Sequence, residues 1–174
     1  MTTPSKRTTA RTALAAALVL AALSLSACAA LRTPPPAGAP VAEVTAALGQ
    51  PDASYPEPDG GQVLEYRGQP MGQYNPLAHI GADGRLVAYE QALTSENFAK
   101  VQPARWTKDD VLRSFGRPAE MSPDRVAGGE VWSYRYKQDG VWPAYMNVYF
   151  NGRGEVRRTD NTPDPVLDDR SKGL

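Results

Sequence analysis

The chain writes one phrase twice: "VTAALGQP" at 44–51 returns as "VLRSFGRP" at 111–118. Val44, Leu48, Gly49, Pro51 and Pro56 match Val111, Phe115, Gly116, Pro118 and Pro123, all at an offset of 67. After one inserted residue, "GQVLEYR" (61–67) matches "GEVWSYR" (129–135) at an offset of 68. After two more, "HIGADGRLV" (79–87) matches "YFNGRGEVR" (149–157) at an offset of 70. Three blocks in order, separated by insertions of a size that loops tolerate, mark a tandem duplication. The sequence therefore predicts two copies of one unit, at 40–102 and 103–160.

Each copy carries helix signals and then strand signals. In the second, Thr107 with Asp110 three residues later reads as a capping-box start, and Asp109 and Asp110 suit the positive end of a helix. Val111, Leu112 and Phe115 form one apolar stripe at helical spacing. Gly116 fits a left-handed position just past the helix, and Pro118 prevents continuation. The first copy starts with Pro40 at the first helical position and stops at Gly49 and Pro51. "EVWSYRY" and "YMNVYF" then alternate as strands do, and "ADGRL" and "NGRGE" supply hairpin turns. "TSENFAKV" (94–101) reads as a short helix joining the copies. The expected class is α+β: two tandem units, each a short helix or helix pair packed on an antiparallel meander of three to four strands.

The ends of the chain differ from this middle. Residues 1–27 have the layout of a secretory signal, with Lys6, Arg7 and Arg11 ahead of an apolar run at 13–25. That run is 13 residues long, against the about 20 that a spanning helix needs. It ends in "LSAC", with small residues before Cys28, the only cysteine of the chain. Without residues 1–27 the chain keeps 16 basic and 19 acidic groups, a mild net charge of −3 spread along its length. That balance offers no basic footprint for nucleic acid. "AALRTPPPAGAP" then reads as a semi-rigid, Pro-rich tether up to residue 39. Residues 161–174, polar and broken by prolines, read as a disordered tail.

Aligning the copies separates the faces of their sheets. Leu64 and Tyr66 answer Trp132 and Tyr134, which assigns them to the helix-facing core with Met146, Val148, Phe150, Ala78 and Ile80. The opposite face then carries Val131, Ser133, Arg135, Tyr145, Asn147, Tyr149 and Arg157, with Leu77 and His79 from the first copy. Such a face is either a solvated sheet surface or a binding surface, since tyrosine and arginine are common in interfaces. Trp142, beside a proline in "DGVWPAY", is either an anchor for a partner or folded back on a sheet edge. The candidate contact residues are Tyr145, Tyr149, Arg135, Arg157, Trp142 and His79.

Catalytic signals are weak. His79, the only histidine, stands where the other copy has Tyr149 and reads as a surface strand position. No HExxH, GxSxG or Walker-type loop is written, and the acidic tail lacks calcium-loop spacing. The expectation is a non-enzyme without cofactor or metal.

Two resemblances sharpen this reading. "LSAC" resembles the lipobox of bacterial lipoproteins, which implies cleavage before Cys28, acylation of its thiol and new amino group, and membrane attachment. Two or more acyl chains hold a protein stably, at about 0.8 kcal/mol per buried CH₂. An ordinary signal peptide would leave a spare thiol in an oxidising envelope, a liability the lipoprotein reading avoids. Ala29 after the cysteine, rather than aspartate, implies the outer membrane by lipoprotein sorting patterns. The motifs Phe115-Gly116-x-Pro118, Trp132-x-Tyr134 and Phe150-Asn151-x-x-Gly154-x-Val156 resemble the SmpA/OmlA (BamE-like) family of outer-membrane lipoproteins. Leu48-Gly49-x-Pro51 and Leu64-x-Tyr66 repeat part of the pattern. The resemblance implies a periplasm-facing protein-binding or scaffold module in envelope maintenance, in its specific form a participant in outer-membrane β-barrel assembly. Typical members carry one such unit, whereas this chain carries two. Its tandem form is similar in architecture to β-lactamase inhibitor protein, which implies the alternative of an inhibitor or sensor gripping an envelope enzyme or ligand.

Overall fold

A computed structural model describes residues 33–164. Cys28, the signal segment, the start of the tether and residues 165–174 lie outside the described residues. Helix α1 (Val41–Leu48) is followed by strands β1 (Ala53–Pro56), β2 (Gln62–Glu65), β3 (Pro76–Ile80) and β4 (Leu86–Gln91). A short helix α2 (Ser95–Phe98) leads to α3 (Lys108–Phe115) and to β5 (Glu120–Pro123), β6 (Glu130–Gln138), β7 (Trp142–Phe150) and β8 (Val156–Pro163). The strands form two antiparallel four-stranded meanders, β1-β2-β3-β4 and β5-β6-β7-β8. This is the α+β tandem that the repeat predicts.

The repeat is legible bond by bond. The Val41 amide donates to Gly84 and the Lys108 amide to Gly154. The bridge Pro40–Arg85 recurs as Thr107–Glu155. The register shift at His79/Ile80 recurs at Tyr149/Phe150. Each helix end donates one turn back, Gly49 to Thr45 and Gly116 to Leu112. The capping box forms as expected, with Thr107 accepting from the Asp110 amide and Asp110 accepting from that of Thr107. Two details differ. Pro40 is the N-cap of α1 rather than its first helical residue. Gly49 (φ 90°, ψ −175°) and Gly116 (φ 70°, ψ −161°) are extended on the positive-φ side instead of left-handed helical, a region essentially confined to glycine.

The two copies stack rather than standing apart. Val44 and Leu48 of α1 pack on Leu64, Ala78, Ile80 and Leu86, the near face of the first sheet. The far face of that sheet, Val63 and Leu77, joins the larger core with Phe98, Val111 and Phe115. The same core takes in Trp132, Tyr134, Tyr136, Met146, Val148 and Phe150 of the second sheet. Helices α2 and α3 thus lie between two sheets, giving layers of helix, sheet, helices, sheet. Leu77, expected on the open face, is fully buried. The reason is that α3 covers its neighbour's sheet as well as its own. Aromatic rings fill this middle layer, with Phe98 4.6 Å from Phe115 and 4.9 Å from Tyr136. Tyr66, expected in the core, is half-buried and packs against Tyr89.

Both expected boundaries shift. Residues 36–40 belong to the fold, because Gly38 donates to Leu86 and the Leu86 amide donates to Ala39. Strand β8 runs through Pro163, three residues into the expected tail, paired with β7 from Ala144 to Phe150.

Several carboxylates are held by this framework below their ordinary values. Burial opposes the charge of Asp110, but hydrogen bonds from Thr107 and Arg113 and the Arg113 charge outweigh it. Lys108, then Trp132, hold Glu130 down. A depressed native value means fewer bound protons than in the unfolded chain, so the stabilisation is present above the ordinary values of 3.8 and 4.5 and is lost below them. Urea midpoints are expected to be lower at about pH 3 than at about pH 6. A midpoint unchanged between the two would contradict these contacts.

Candidate functional site

Among the described residues, the far face of the second sheet carries no covering layer. The register places on it Val131, Ser133, Arg135 and Lys137 of β6, Tyr145, Asn147 and Tyr149 of β7, and Arg158, Asp160 and Thr162 of β8. Its polar groups are tied to one another. Ser133 Oγ donates to Asn147 Oδ1 (2.7 Å), and Asn147 Nδ2 donates to Asp160 Oδ1 (3.0 Å) and Thr162 Oγ1 (3.2 Å). Burial disfavours the Asp160 charge, but bonds from Asn147, Arg158 and Tyr149 hold its carboxyl below the usual value. The face is therefore a stiff hydrogen-bonded plate rather than a set of free side chains.

Of the sequence candidates, Tyr145 and Tyr149 lie on this plate, half-buried between strands. Burial pushes the Tyr145 hydroxyl up from its ordinary value, so it stays protonated and can donate. Arg157 does not join them. The bulge at Tyr149/Phe150 shifts the register so that Arg158 faces Tyr149, its guanidinium carbon 3.4 Å from the ring centre. Arg157 turns instead to an ion pair with Asp124. Arg135 is on the face but committed, because Nε (3.0 Å) and Nη2 (2.8 Å) both donate to the buried Asp164 and Nη1 donates to Pro70 O. Trp142 is 69% exposed at the end of the β6–β7 hairpin.

His79 lies on a different surface. It faces α3, with Nε2 3.2 Å from Glu90 and Nδ1 3.9 Å from Glu57. The three line a cleft of about 290 Å³ against Trp106, Arg113 and Ser114. The stacking of the copies turned this strand position from an open face into a seam.

The same seam contains residues that the sequence reading left out. Glu65, on the far face of the first sheet, is fully buried. Its carboxylate accepts from Tyr55 OH (2.6 Å), Asn75 Nδ2 (2.9 Å) and the Arg117 amide (3.0 Å). Asn75 Nδ2 also donates to Phe115 O (2.7 Å), Arg67 Nη2 to Pro118 O (3.0 Å) and Tyr134 OH to Gly116 O (2.9 Å). Four backbone groups of "FGRP", the carbonyls of Phe115, Gly116 and Pro118 and the amide of Arg117, are thus bound by side chains. The signal was present: a glutamate sits in the apolar strand "QVLEYR" where the other copy writes Ser133.

The segment Arg67–Asn75 is a second departure from the repeat, since it replaces the long hairpin of β6 and β7 with a loop containing a cis Gln69–Pro70 bond. Gln69 mimics a strand residue, its Nε2 donating to Arg135 O (2.7 Å) and its Oε1 accepting from the Arg135 amide (3.2 Å). No protein-family model, curated protein or solved structure matches this chain.

Proposed function

We propose that the chain is a non-catalytic, lipid-tethered binding module of the bacterial envelope. It is anchored to the outer membrane through acylated Cys28, faces the periplasm and presents the second sheet to a protein partner. The observation that carries this reading is the use of the only cysteine directly after "LSA". The uncovered plate on the second sheet supports the binding part, as a flat face bearing Tyr145, Tyr149 and Arg158 suits a protein surface better than a small molecule. Participation in β-barrel assembly is the narrower form of the proposal.

Cys28→Ser is expected to abolish palmitate labelling and to release the protein from the membrane fraction. Labelling that persists would remove the anchor from the account. Photo-crosslinkers placed at Tyr145 and Tyr149 in intact cells test the face. Capture of barrel-assembly proteins would support the narrower form, and capture of an envelope enzyme would favour an inhibitor. No adduct from either position would count against the face.

A further inference from the structure

Three side chains of the first sheet converge on the cleft at the seam. Tyr55, Val63, His79 and Ala88 form one row across β1–β4, and Glu57 and Glu90, two residues on from the ends of that row, share its face. His79 Nε2 lies 3.2 Å from Glu90 Oε1, a hydrogen bond that places the proton of a neutral imidazole on Nε2. Nδ1 is then an acceptor, and it faces the Glu57 carboxylate across 3.9 Å. Two acceptors cannot bond each other, so the pair calls for a donor that serves both. Among the described residues neither Nδ1 nor the Glu57 carboxylate has a hydrogen-bond partner.

The helical side of the seam contributes the other sign. Lys100, just after α2, and Arg113, on α3, line the same space as Glu57, His79 and Glu90. Each cation is committed at one point only, Lys100 Nζ to Asn97 Oδ1 (2.6 Å) and Arg113 Nη2 to Asp110 Oδ1. Two ammonium protons of Lys100, with Nε–H and the Nη1 group of Arg113, remain for an anion. The groups can be reached, because the side chains of Glu57, His79, Glu90 and Arg113 stay 23–46% exposed and Lys100 is exposed. A space of about 290 Å³ suits a small molecule rather than a chain segment.

We propose that this cleft binds a small zwitterion. Its primary ammonium group donates to both His79 Nδ1 and the Glu57 carboxylate, and its carboxylate or phosphate accepts from Lys100 and Arg113. An ammonium carries three donors on one atom, which suits two facing acceptors. A metal ion suits them less, since among the described residues no three His, Cys, Asp or Glu side chains are grouped as such an ion needs. The cleft shares no residue with the plate on the second sheet. Failure here therefore leaves the crosslinking result from Tyr145 and Tyr149 intact, and the reverse also holds.

The test uses the full chain purified from membranes in an uncharged detergent and ¹⁵N-labelled, at about pH 7.5. With one histidine in the chain, long-range ¹H–¹⁵N spectra report His79 alone. They are expected to show the Nε2–H tautomer, and Nδ1 should shift on titration with L-alanine, γ-aminobutyrate or O-phosphoethanolamine. These probes differ in spacer and anion, so the tightest distinguishes a free α-amino acid, a longer amino acid and a phosphate headgroup. n-Propylamine, which lacks the anion, should bind about tenfold more weakly than the tightest zwitterion, and propionate should not bind. Glu57→Gln should weaken every amine about tenfold, whereas Lys100→Met should weaken the zwitterions and leave propylamine unchanged. Both side chains lie at the surface, so the variants should fold. A doubly protonated His79 in the ligand-free protein, no shift with any zwitterion, or propylamine binding as tightly as the zwitterions would overturn the proposal. So would zinc shifting Nδ1 where no zwitterion does, which would make the cleft a metal site.

Discussion

Gly116→Ala is expected to destabilise the protein by about 3–5 kcal/mol, enough to lower the melting temperature by about 10 °C or more. Two costs combine. The backbone at φ 70°, ψ −161° belongs to glycine, and another residue held there costs about 1–3 kcal/mol. An added Cβ would also stand 2.3 Å from Asn75 Nδ2 and 2.7 Å from the Glu65 carboxylate. Both atoms are buried and bonded, so yielding means breaking bonds that cost about 1–3 kcal/mol per orphaned group. Gly84→Ala is the control, because Gly84 has φ 74° with nothing within 4 Å of an added Cβ. It should show the backbone cost alone. Equal losses at the two positions in thermal unfolding would deny the seam its energetic role.

Glu65→Ala is expected to cost about 4 kcal/mol, through three donors losing their acceptor and a void opening in the seam. Asn75 keeps Phe115 O, but the Tyr55 hydroxyl and the Arg117 amide lose the acceptor they have in the folded chain. Tyr55 reports on the same site. Its hydroxyl is pushed well up by burial first and then by its bond to Glu65 and that group's charge. Glu65→Gln preserves one acceptor oxygen and the side-chain volume, so it should cost about half as much or less. Urea unfolding of the two variants separates the outcomes. An alanine variant no less stable than the glutamine variant would mean that the network contributes little.

Much of the architecture could be read from the chain, because a duplication samples each position twice. Bulky residues that recur, such as Leu64 with Trp132 and Ile80 with Phe150, lie in cores in both copies. Turn glycines that recur, Gly84 and Gly154, take positive φ in both. What the repeat could not reveal is where the copies break their own symmetry. Glu65 against Ser133 is one such place, and it carries the seam. The loop at 67–75 against a long hairpin is another, and its Gln69 pairs with the backbone of Arg135 in β6. Internal comparison treats these departures as noise, although they record how one copy meets the other. One member of the face, Arg157, is displaced for a related reason. Counting along β8 by alternation gives Arg157, but the bulge at Tyr149/Phe150 moves the count by one and delivers Arg158. Bulges carry little sequence signal, so only the register reveals them.

The repeated "LGQP" and "FGRP" therefore end their helices alike yet differ in what they bind afterwards. Arg117 is an exposed residue in a turn, but its amide donates to buried Glu65. Gln50, its counterpart 67 residues earlier, is equally exposed and has no such acceptor. Native-state hydrogen exchange at these two amides tests most directly that the copies are locked into one fold at the seam. The Arg117 amide should exchange within about tenfold of buried strand amides such as that of Val148, and the Gln50 amide many orders of magnitude faster. Fast exchange at both would contradict the lock, and with it the stacking that, among the described residues, leaves the far face of the second sheet uncovered.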